Sequence, residues 1–352
     1  MAYKSVVVTD PSAIGTDARN RILYQSEALA VRRGAASPDF LTRVQSVNYS
    51  FSVGRTDVNQ FGELAAIDRV ILEQPTVSMD FSYILHGRSN EAALGFNTTS
   101  STTSMIADII AGTGDKSDYF ISLADEGVDA AGPLGGTTIE SNIKIPSGFI
   151  TSYSASGSVG EFPTATVNIE ALDMKIGKSH DEQTNVNAKN ASTEENTASY
   201  VLRPGEIDLD IRAFGGVVHL QSFTLTVDLT REAINRLGTN FPFARVISFP
   251  LNATLSAEGI LSKDDESATN NSLAHLVDDD TSMGDLAVDC KSQGTGHIGG
   301  IKYIMKKAKL DSYSYTSSIG ANKAVSMDWS VPIGSESQTD RGVFIVQGGT
   351  AE

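Results

Sequence analysis

"VQSVNYSFSVGRTDVNQFG" occupies residues 44–62, and "LQSFTLTVDLTREAINRLG" occupies residues 220–238. Apolar and small polar residues alternate in both stretches, which indicates β-strands with one buried and one exposed face. Identical residues recur 176 positions apart (221 − 45), at Gln45/Gln221, Ser46/Ser222, Arg55/Arg231, Asn59/Asn235 and Gly62/Gly238. The chain therefore contains an internal repeat that is built around strands.

The repeat extends well beyond these two stretches. The same offset continues without a gap through residues 45–85 and 221–261, where ten of 41 positions are identical. A second block, "SYSASGSVG" at 152–160, matches "SYSYTSSIG" at 312–320 with an offset of 160 (312 − 152). Another alternating stretch follows each block. The second copy therefore has a shorter middle than the first.

The middle of each copy predicts one short helix. "TTSMIADIIAG" at 102–112 has a candidate N-cap, apolar residues on one face and a terminal glycine, and "NNSLAHLVDDD" at 270–280 is similar. We therefore predict a mainly β chain of two tandem β-sandwich or half-barrel domains, each with one flanking short helix. The predicted parts are an N-terminal arm at 1–43 without clear periodicity (apart from a possible helix near 16–31), domain 1 at 44–176, a polar linker at 177–199 and domain 2 at 200–352.

Composition and charge exclude several functional classes. The chain has 352 residues and a formal net charge of −16, so tight binding to nucleic acid is not expected. Its single cysteine, Cys290, cannot form an intramolecular disulfide. The sequence has neither a leading apolar region nor an apolar run of membrane-spanning length. We expect a protein without a membrane anchor that folds in the cytoplasm.

Three sequence features are candidates for cofactor, metal or catalytic sites, and none has the pattern that such a site requires. "GTGHIG" at 294–299 fits a dinucleotide-binding pattern, but the stretch after it is strand-like, whereas the motif needs a helix. "DDDTSMGDLAVD" at 278–289 resembles a calcium loop, but its glycine falls one position late. The five histidines are scattered. We predict no catalytic residue, no metal site and no cofactor, and therefore no enzyme.

Two long connections between early strands are the candidate functional feature. "GRTDVNQFGELAAID" at 54–68 and "TREAINRLGTNFPFA" at 230–244 are too long for tight hairpins. They combine charged and amide residues with apolar ones, which favours a contact surface; the alternative is that each folds over its own domain. The candidate contact residues are Arg55, Asp57, Asn59, Phe61, Leu64, Arg231, Glu232, Asn235, Leu237 and Phe241.

The block at 45–85 and "ITSYSASGSVGEFPTATVNIEAL" at 150–172 resemble bacteriophage tail tube (major tail) proteins. The resemblance covers most of 44–171 and, more weakly, 220–333. It implies tail-tube-type domains whose rings stack into a hollow tube through the long loops, and a lumen that conducts double-stranded DNA without tight binding during genome ejection. It also implies a virion-tail location after assembly in the host bacterial cytoplasm. The implied partners are further copies of the chain and the tape measure, tail terminator and distal tail proteins.

Because the chain contains two predicted domains, the number of chains needed to form one ring differs from that implied for a one-domain tail tube protein. Most members of the family carry one tube domain and form hexamers, so we expect three of these chains to close one pseudo-hexameric ring. The competing arrangement places the two copies in successive levels of a true sixfold stack. Two other functions stay open: another ring-forming tail component (a distal tail or terminator protein), and a surface adhesin or sugar-binding β-module.

Overall fold

The protein is mostly antiparallel β-structure. A computed structural model describes residues 27–36, 38–72, 75–112, 115–124, 130, 141–177, 202, 207–210, 218–234, 237, 244–261, 285–293, 300–319, 322–335 and 337–351. The first repeat contains β1 (Glu27–Arg33), β2 (Asp39–Phe40), β3 (Val44–Ser52), β4 (Thr56–Val58), β5 (Asp68–Val70), β6 (Thr76–Ile84), α1 (Ser89–Leu94), α2 (Ala107–Ile110), β7 (Ser117–Leu123), β8 (Ser141–Ser158), β9 (Thr164–Ala171) and β10 (Lys175–Gly177). The second contains β11 (Ile207–Asp210), β12 (Val218–Asp228), β13 (Arg231–Ile234), β14 (Ala244–Ile247), β15 (Leu251–Leu261), β16 (Leu286–Cys290), β17 (Ser292–Gln293), β18 (Gly300–Lys306), β19 (Lys309–Thr316), β20 (Ala324–Ile333), β21 (Gly342–Gly348) and β22 (Thr350–Ala351).

Eight strands form one continuous antiparallel sheet that runs through both repeats. Their order is β3-β6-β9-β8-β12-β15-β20-β19. The first four strands come from the first repeat and the last four from the second, in the same internal order. The repeats are therefore joined edge to edge by the pair β8–β12. Among the described residues, β3 and β19 pair on one side only, so the sheet does not close.

A second layer covers one face of this sheet. In the first repeat its order is β1-β7-β8-β10, and in the second it is β11-β16-β18-β21. β8 takes part in both layers and bends near Ser147, which has φ 52°. The adjacent Gly148 has no room for a side chain, because a Cβ there would lie 2.7 Å from the Tyr119 ring. Lys307, at the equivalent position between β18 and β19, also has a positive φ of 56°.

Strand registers repeat at the two offsets found in the sequence. Ser46 lies opposite Ser82, and 176 residues later Ser222 lies opposite Glu258. A bulge interrupts each of these pairings at the same glutamine, Gln45 or Gln221, and the side-chain amide of each donates to the backbone carbonyls one and two residues before it. The local backbone geometry, and not only the amino-acid pattern, is therefore duplicated.

The predicted mainly β class is confirmed, including strands at 44–52 and 76–84. The predicted helix at 102–112 is shorter, at Ala107–Ile110, and α1 corresponds to no predicted element. The helix predicted at 270–280 lies outside the described residues. The two repeats also share one hydrophobic core, to which Phe81, Tyr153 and Trp329 belong.

The assignment of residues 27–43 to an arm without periodicity needs correction. They contain β1, which pairs along its whole length with β7, and the short β2. The possible helix near 16–31 is wrong for its described end, which is strand. Leu29, Ala30 and Val31 are consecutive and all buried. A strand that is buried on both faces shows no alternation, which is why the pattern did not reveal it.

Candidate assembly surfaces

The junction between the repeats, formed by β8 and β12, shows how two repeats pack side by side. Its register runs from Ser222 opposite Ser158 to Asp228 opposite Ser152. At its two ends the Val159 amide donates to the Gln221 carbonyl (2.9 Å) and the Leu229 amide donates to the Thr151 carbonyl (2.8 Å). The inward side chains are fully buried; they include Tyr153, Ala155, Phe223, Leu225 and Val227.

The outer strands β3 and β19, which we call the free edges, have no such neighbour among the strands that the structure describes. They are the equivalents of β12 and β8 in the other repeat. Apolar side chains remain exposed along both: Phe51 is 49% exposed on β3, and Tyr315 on β19 is 50% exposed. Ile319, just after β19, is completely exposed. An uncovered strand edge with apolar side chains is a site for pairing with another chain.

The face of the eight-stranded sheet that points away from the core, here the polar face, carries short hydroxyl and amide side chains. Cross-strand hydroxyl contacts include Ser46–Ser82 and Ser50–Ser78, both at 2.7 Å. Among the described residues of its eight strands, Lys309 at the start of β19 is the one lysine or arginine side chain. The acidic side chains on this face are Asp80, Glu170, Asp228, Glu258 and Asp328.

The first hairpin, β4–β5 with its connection, projects into solvent. Phe61 and Leu64 at its tip are completely exposed, at 105% and 111%. Arg69 forms an ion pair with Asp57 across the two strands, at 2.6 Å between Nε and Oδ1. Both partners are largely exposed, so the pair stabilises the hairpin only slightly.

The second hairpin, β13–β14, is held at its base by the first repeat. The Arg231 side chain is fully buried: its Nη1 lies 2.6 Å from Asp115, its Nε donates to the Ile150 carbonyl at 3.0 Å, and its guanidinium lies over the Phe149 ring. Arg245 forms an ion pair with Glu170 of β9. These contacts fix the hairpin at the place where the two repeats join.

The structure describes eight of the ten predicted contact residues and separates them into two groups. The side chain of Arg231 is buried at the junction, so it is a structural residue of the chain itself. The exposed ones are Arg55, Asp57, Asn59, Phe61, Leu64, Glu232 and Leu237. Asn235 and Phe241 lie outside the described residues. The sequence did not reveal the roles of Asp115 and Glu170, because no local pattern connects either acid with a distant arginine.

A buried polar cluster connects the two layers. Tyr83 and Tyr153 both donate to Glu91 Oε1, at 2.8 and 3.2 Å, and the Tyr153 and Tyr303 hydroxyls lie 2.6 Å apart. Burial, together with the nearby Glu91 charge, raises the pKa of these three tyrosines well above the ordinary value. The cluster joins β6 and β8 of the first repeat to β18 of the second, so it supports the shared core.

The described residues show no arrangement suited to metal binding. Across them, no group of three or more His, Cys, Asp or Glu side chains could hold a metal ion. Burial raises the pKa of the Cys290 thiol well above the ordinary value, so it is poorly suited to act as a nucleophile. None of the helices in the described part is long and apolar enough to cross a membrane.

Comparison with known proteins adds a distant structural likeness. The sequence matches no protein-family model and no curated protein. Among solved structures, a chain of the 6-fold symmetrised cryo-EM structure of the anti-feeding prophage (AFP) baseplate is similar to this protein, with 12% sequence identity and a TM-score of 0.29. The match covers 45% of this chain and 95% of that chain. A TM-score at this level carries no functional argument.

Proposed function

We propose that this protein is a structural subunit of a phage-type tail tube, with no catalytic role. The observation that carries the proposal is the continuous eight-stranded sheet. Its two halves are equivalent and already joined edge to edge, and within the described part of the chain the edges at its two ends, β3 and β19, have no further strand beside them. A surface of this kind repeats from chain to chain, and such heterologous contacts form either closed rings or open filaments.

Closure into a ring satisfies both free edges of every chain. Pairing the edges around a ring leaves no strand exposed, as in a β-barrel. The resemblance to tail tube proteins implies six domains per ring, so three chains would provide them. The two repeats differ in their middles, and the ring would therefore be pseudo-sixfold at the repeated strands and threefold elsewhere.

The polar face suits the lining of a conduit for DNA. It is covered with short hydroxyl and amide groups, and its described residues include five acidic side chains, of which Glu170 is paired with Arg245, against one lysine. Negative charges repel phosphate, and small neutral side chains offer no long cationic group to bind it. Double-stranded DNA would pass such a surface without being held. The opposite face is unavailable, because the second layer covers it.

The exposed tips of the two hairpins are proposed to contact the neighbouring ring. Phe61 and Leu237 are completely exposed in the single chain, so replacing both by Asp should not disturb the fold. Burial of a charge in an apolar contact is costly, so we expect the double variant to form rings that do not elongate into tubes. Ile176→Asp, which adds a charge at an exposed apolar residue of β10 outside both hairpins, is the control and should form tubes of normal length. Tubes of normal length from the double variant would contradict this assignment.

Electron microscopy of the purified protein tests the proposed function as a whole. We expect long hollow tubes, and a reconstruction without imposed symmetry should show threefold density around residues 86–112. Single rings that never stack would favour a distal tail or terminator protein. Monodisperse particles at high concentration would contradict any ring-forming role, and true sixfold density would contradict the three-chain ring.

A further inference from the structure

We infer that β3 of one chain pairs with β19 of a second copy in one defined register, which is that of the internal β12–β8 junction. The inference rests on the proposed ring and adds the residue pairs that form its contacts. β3 is equivalent to β12 at the 176-residue offset, and β19 is equivalent to β8 at the 160-residue offset.

The internal junction assigns the register directly. Thr226 lies opposite Ser154, with their hydroxyls 3.4 Å apart. The two offsets convert this pair into Ser50 of one chain opposite Ser314 of the next. By the same conversion, Ser222 opposite Ser158 becomes Ser46 opposite Ser318.

The edge of the first repeat has a groove in which the second copy would lie. A groove of about 370 Å³ runs along β3, lined also by β1 and β2. The corresponding place along β12 is a cleft of only about 20 Å³, because Gly157–Val159 of β8 occupies it. The equivalent segment of the second copy is Ser317–Ile319, which is exposed throughout in the single chain. The open groove and the exposed segment are therefore the two halves of one contact.

Side-chain sizes at the two junctions compensate for each other. In the internal junction Gly157 faces Phe223, and a Cβ on Gly157 would lie 2.8 Å from the Phe223 ring. At the inferred junction Ser317 takes the place of the glycine and the smaller Val47 takes the place of the phenylalanine. The serine has the space that it needs only because its partner is smaller.

Aromatic side chains provide the apolar part of the inferred contact. The register places Tyr49 opposite Tyr315 and Phe51 opposite Tyr313. Phe51 and Tyr315 are about half exposed in the single chain, and pairing would bury them as Val227 and Ala155 are buried in the internal junction. Cross-strand aromatic pairs stabilise a sheet beyond the area that they bury.

Disulfide crosslinking tests the register in the full-length protein. The variant S50C/S314C, oxidised after assembly, should form covalent trimers on a non-reducing denaturing gel. Its two cysteines stand at opposite edges of the sheet, seven strand spacings or roughly 34 Å apart, so an intrachain disulfide is excluded. The native Cys290 is fully buried, and the wild-type chain measures any background from it.

Matched variants distinguish pairing of β3 with β19 in this register from an unspecific approach of the two strands. S46C/S318C is a second in-register pair and should crosslink as well. S46C/S314C is out of register by four residues, about 13 Å along the strands, and should not crosslink. Efficient crosslinking of the out-of-register variant, or none of either in-register variant within assembled particles, overturns the inference.

The outcomes also separate this inference from the proposed function. Rings or tubes that form in the microscope without in-register crosslinks leave the proposed function standing and reject the register. In-register covalent trimers without tubes support the register and reject stacking. Wild-type chains that remain monomeric at all concentrations reject both.

Discussion

The two hairpins share a sequence block but lie in different surroundings. Arg231 of the second hairpin is buried against the first repeat and contacts Asp115, Phe149 and the Ile150 carbonyl. Its equivalent Arg55, 176 residues earlier, is exposed. The second hairpin has a neighbouring repeat at its base within the chain, whereas no described residue of another repeat lies at the base of the first. The difference therefore shows what a neighbour adds to this motif.

Each hairpin has a second arginine, and the two arginines form ion pairs with acidic residues in different parts of the chain. Arg69 pairs within its own hairpin with Asp57, whereas Arg245 reaches across to Glu170 of the first repeat. The equivalent of Asp57 in the second hairpin is Ala233, so Arg245 has no acid at that position. The equivalent of Glu170 in the second repeat is Ser330, so a neighbouring chain would offer Arg69 no acid there. The two sequences have thus diverged in a coordinated way.

The largest expected effect is the destabilisation of the chain by Arg231→Ala. The substitution leaves Asp115 without its partner and removes the contacts to Phe149 and the Ile150 carbonyl. Breaking such a largely buried pair lowers the free energy of unfolding by about 3 kcal/mol. Arg55→Ala is the matched control and should change it by less than about 0.5 kcal/mol in the unassembled chain. Urea denaturation below the assembly concentration measures both, and equal effects would remove the distinction between the hairpins.

A smaller effect is expected from exchanging side chains between the two junctions. Gly157→Ser forces a Cβ against the buried Phe223 ring, and overpacking of this kind costs about 2 kcal/mol. The double variant Gly157→Ser/Phe223→Val reproduces the pair Ser317–Val47 in the internal junction. Its melting temperature should exceed the value expected if the two single changes were additive. Strict additivity would mean that the two junctions are not equivalent.

Much of this fold could be predicted from the sequence, because apolar and polar residues alternate in strands that have one buried and one solvent-exposed face. β3, β6, β9 and β20 follow that pattern. β1 could not be found in this way, since its buried residues are consecutive. The contacts of Arg231 with Asp115, Phe149 and the Ile150 carbonyl also could not be predicted, because they depend on how one repeat packs against the other. The repeat predicted two copies, but not that their sheets merge through β8 and β12.

The ion pairs of Arg245 and Arg69 allow a finer comparison. Arg245→Ala removes an ion pair whose acid, Glu170, is 40% exposed, so we expect a loss of about 1 kcal/mol in the free energy of unfolding. Arg69→Ala removes a pair exposed on both sides and should cost less than about 0.5 kcal/mol. In high salt the same denaturation experiment should show a proportionally greater reduction for Arg69→Ala than for Arg245→Ala, because salt screens an exposed ion pair more strongly than a partly buried one. A larger loss from Arg69 than from Arg245 would contradict the assignment of Arg245 to the junction.

The smallest effect concerns one position on the polar face that differs in charge between the repeats. Asp328 of β20 is equivalent to Asn168 of β9. The hydroxyls of Ser256 and Ser312 donate to its two carboxylate oxygens, at 2.6 and 2.5 Å, and hold the pKa of Asp328 below its ordinary value of 3.8 although partial burial opposes this. In the first repeat the Asn168 amide instead donates to Ser152 at 2.7 Å.

A lowered carboxyl pKa stabilises the fold only while the group is ionised. The contribution of Asp328 is therefore complete above its ordinary pKa of 3.8 and is lost as the pH falls through the lower value in the folded chain. Ser256→Ala removes one of the two donors, so the pKa of Asp328 should rise toward 3.8, as measured by NMR titration of the carboxyl carbon. Asp328→Asn converts the position to its equivalent in the first repeat, and this part of the acid dependence should disappear. An unchanged Asp328 pKa in Ser256→Ala would show that the hydroxyl does not hold the charge, and the two repeats would then differ at this position in charge alone.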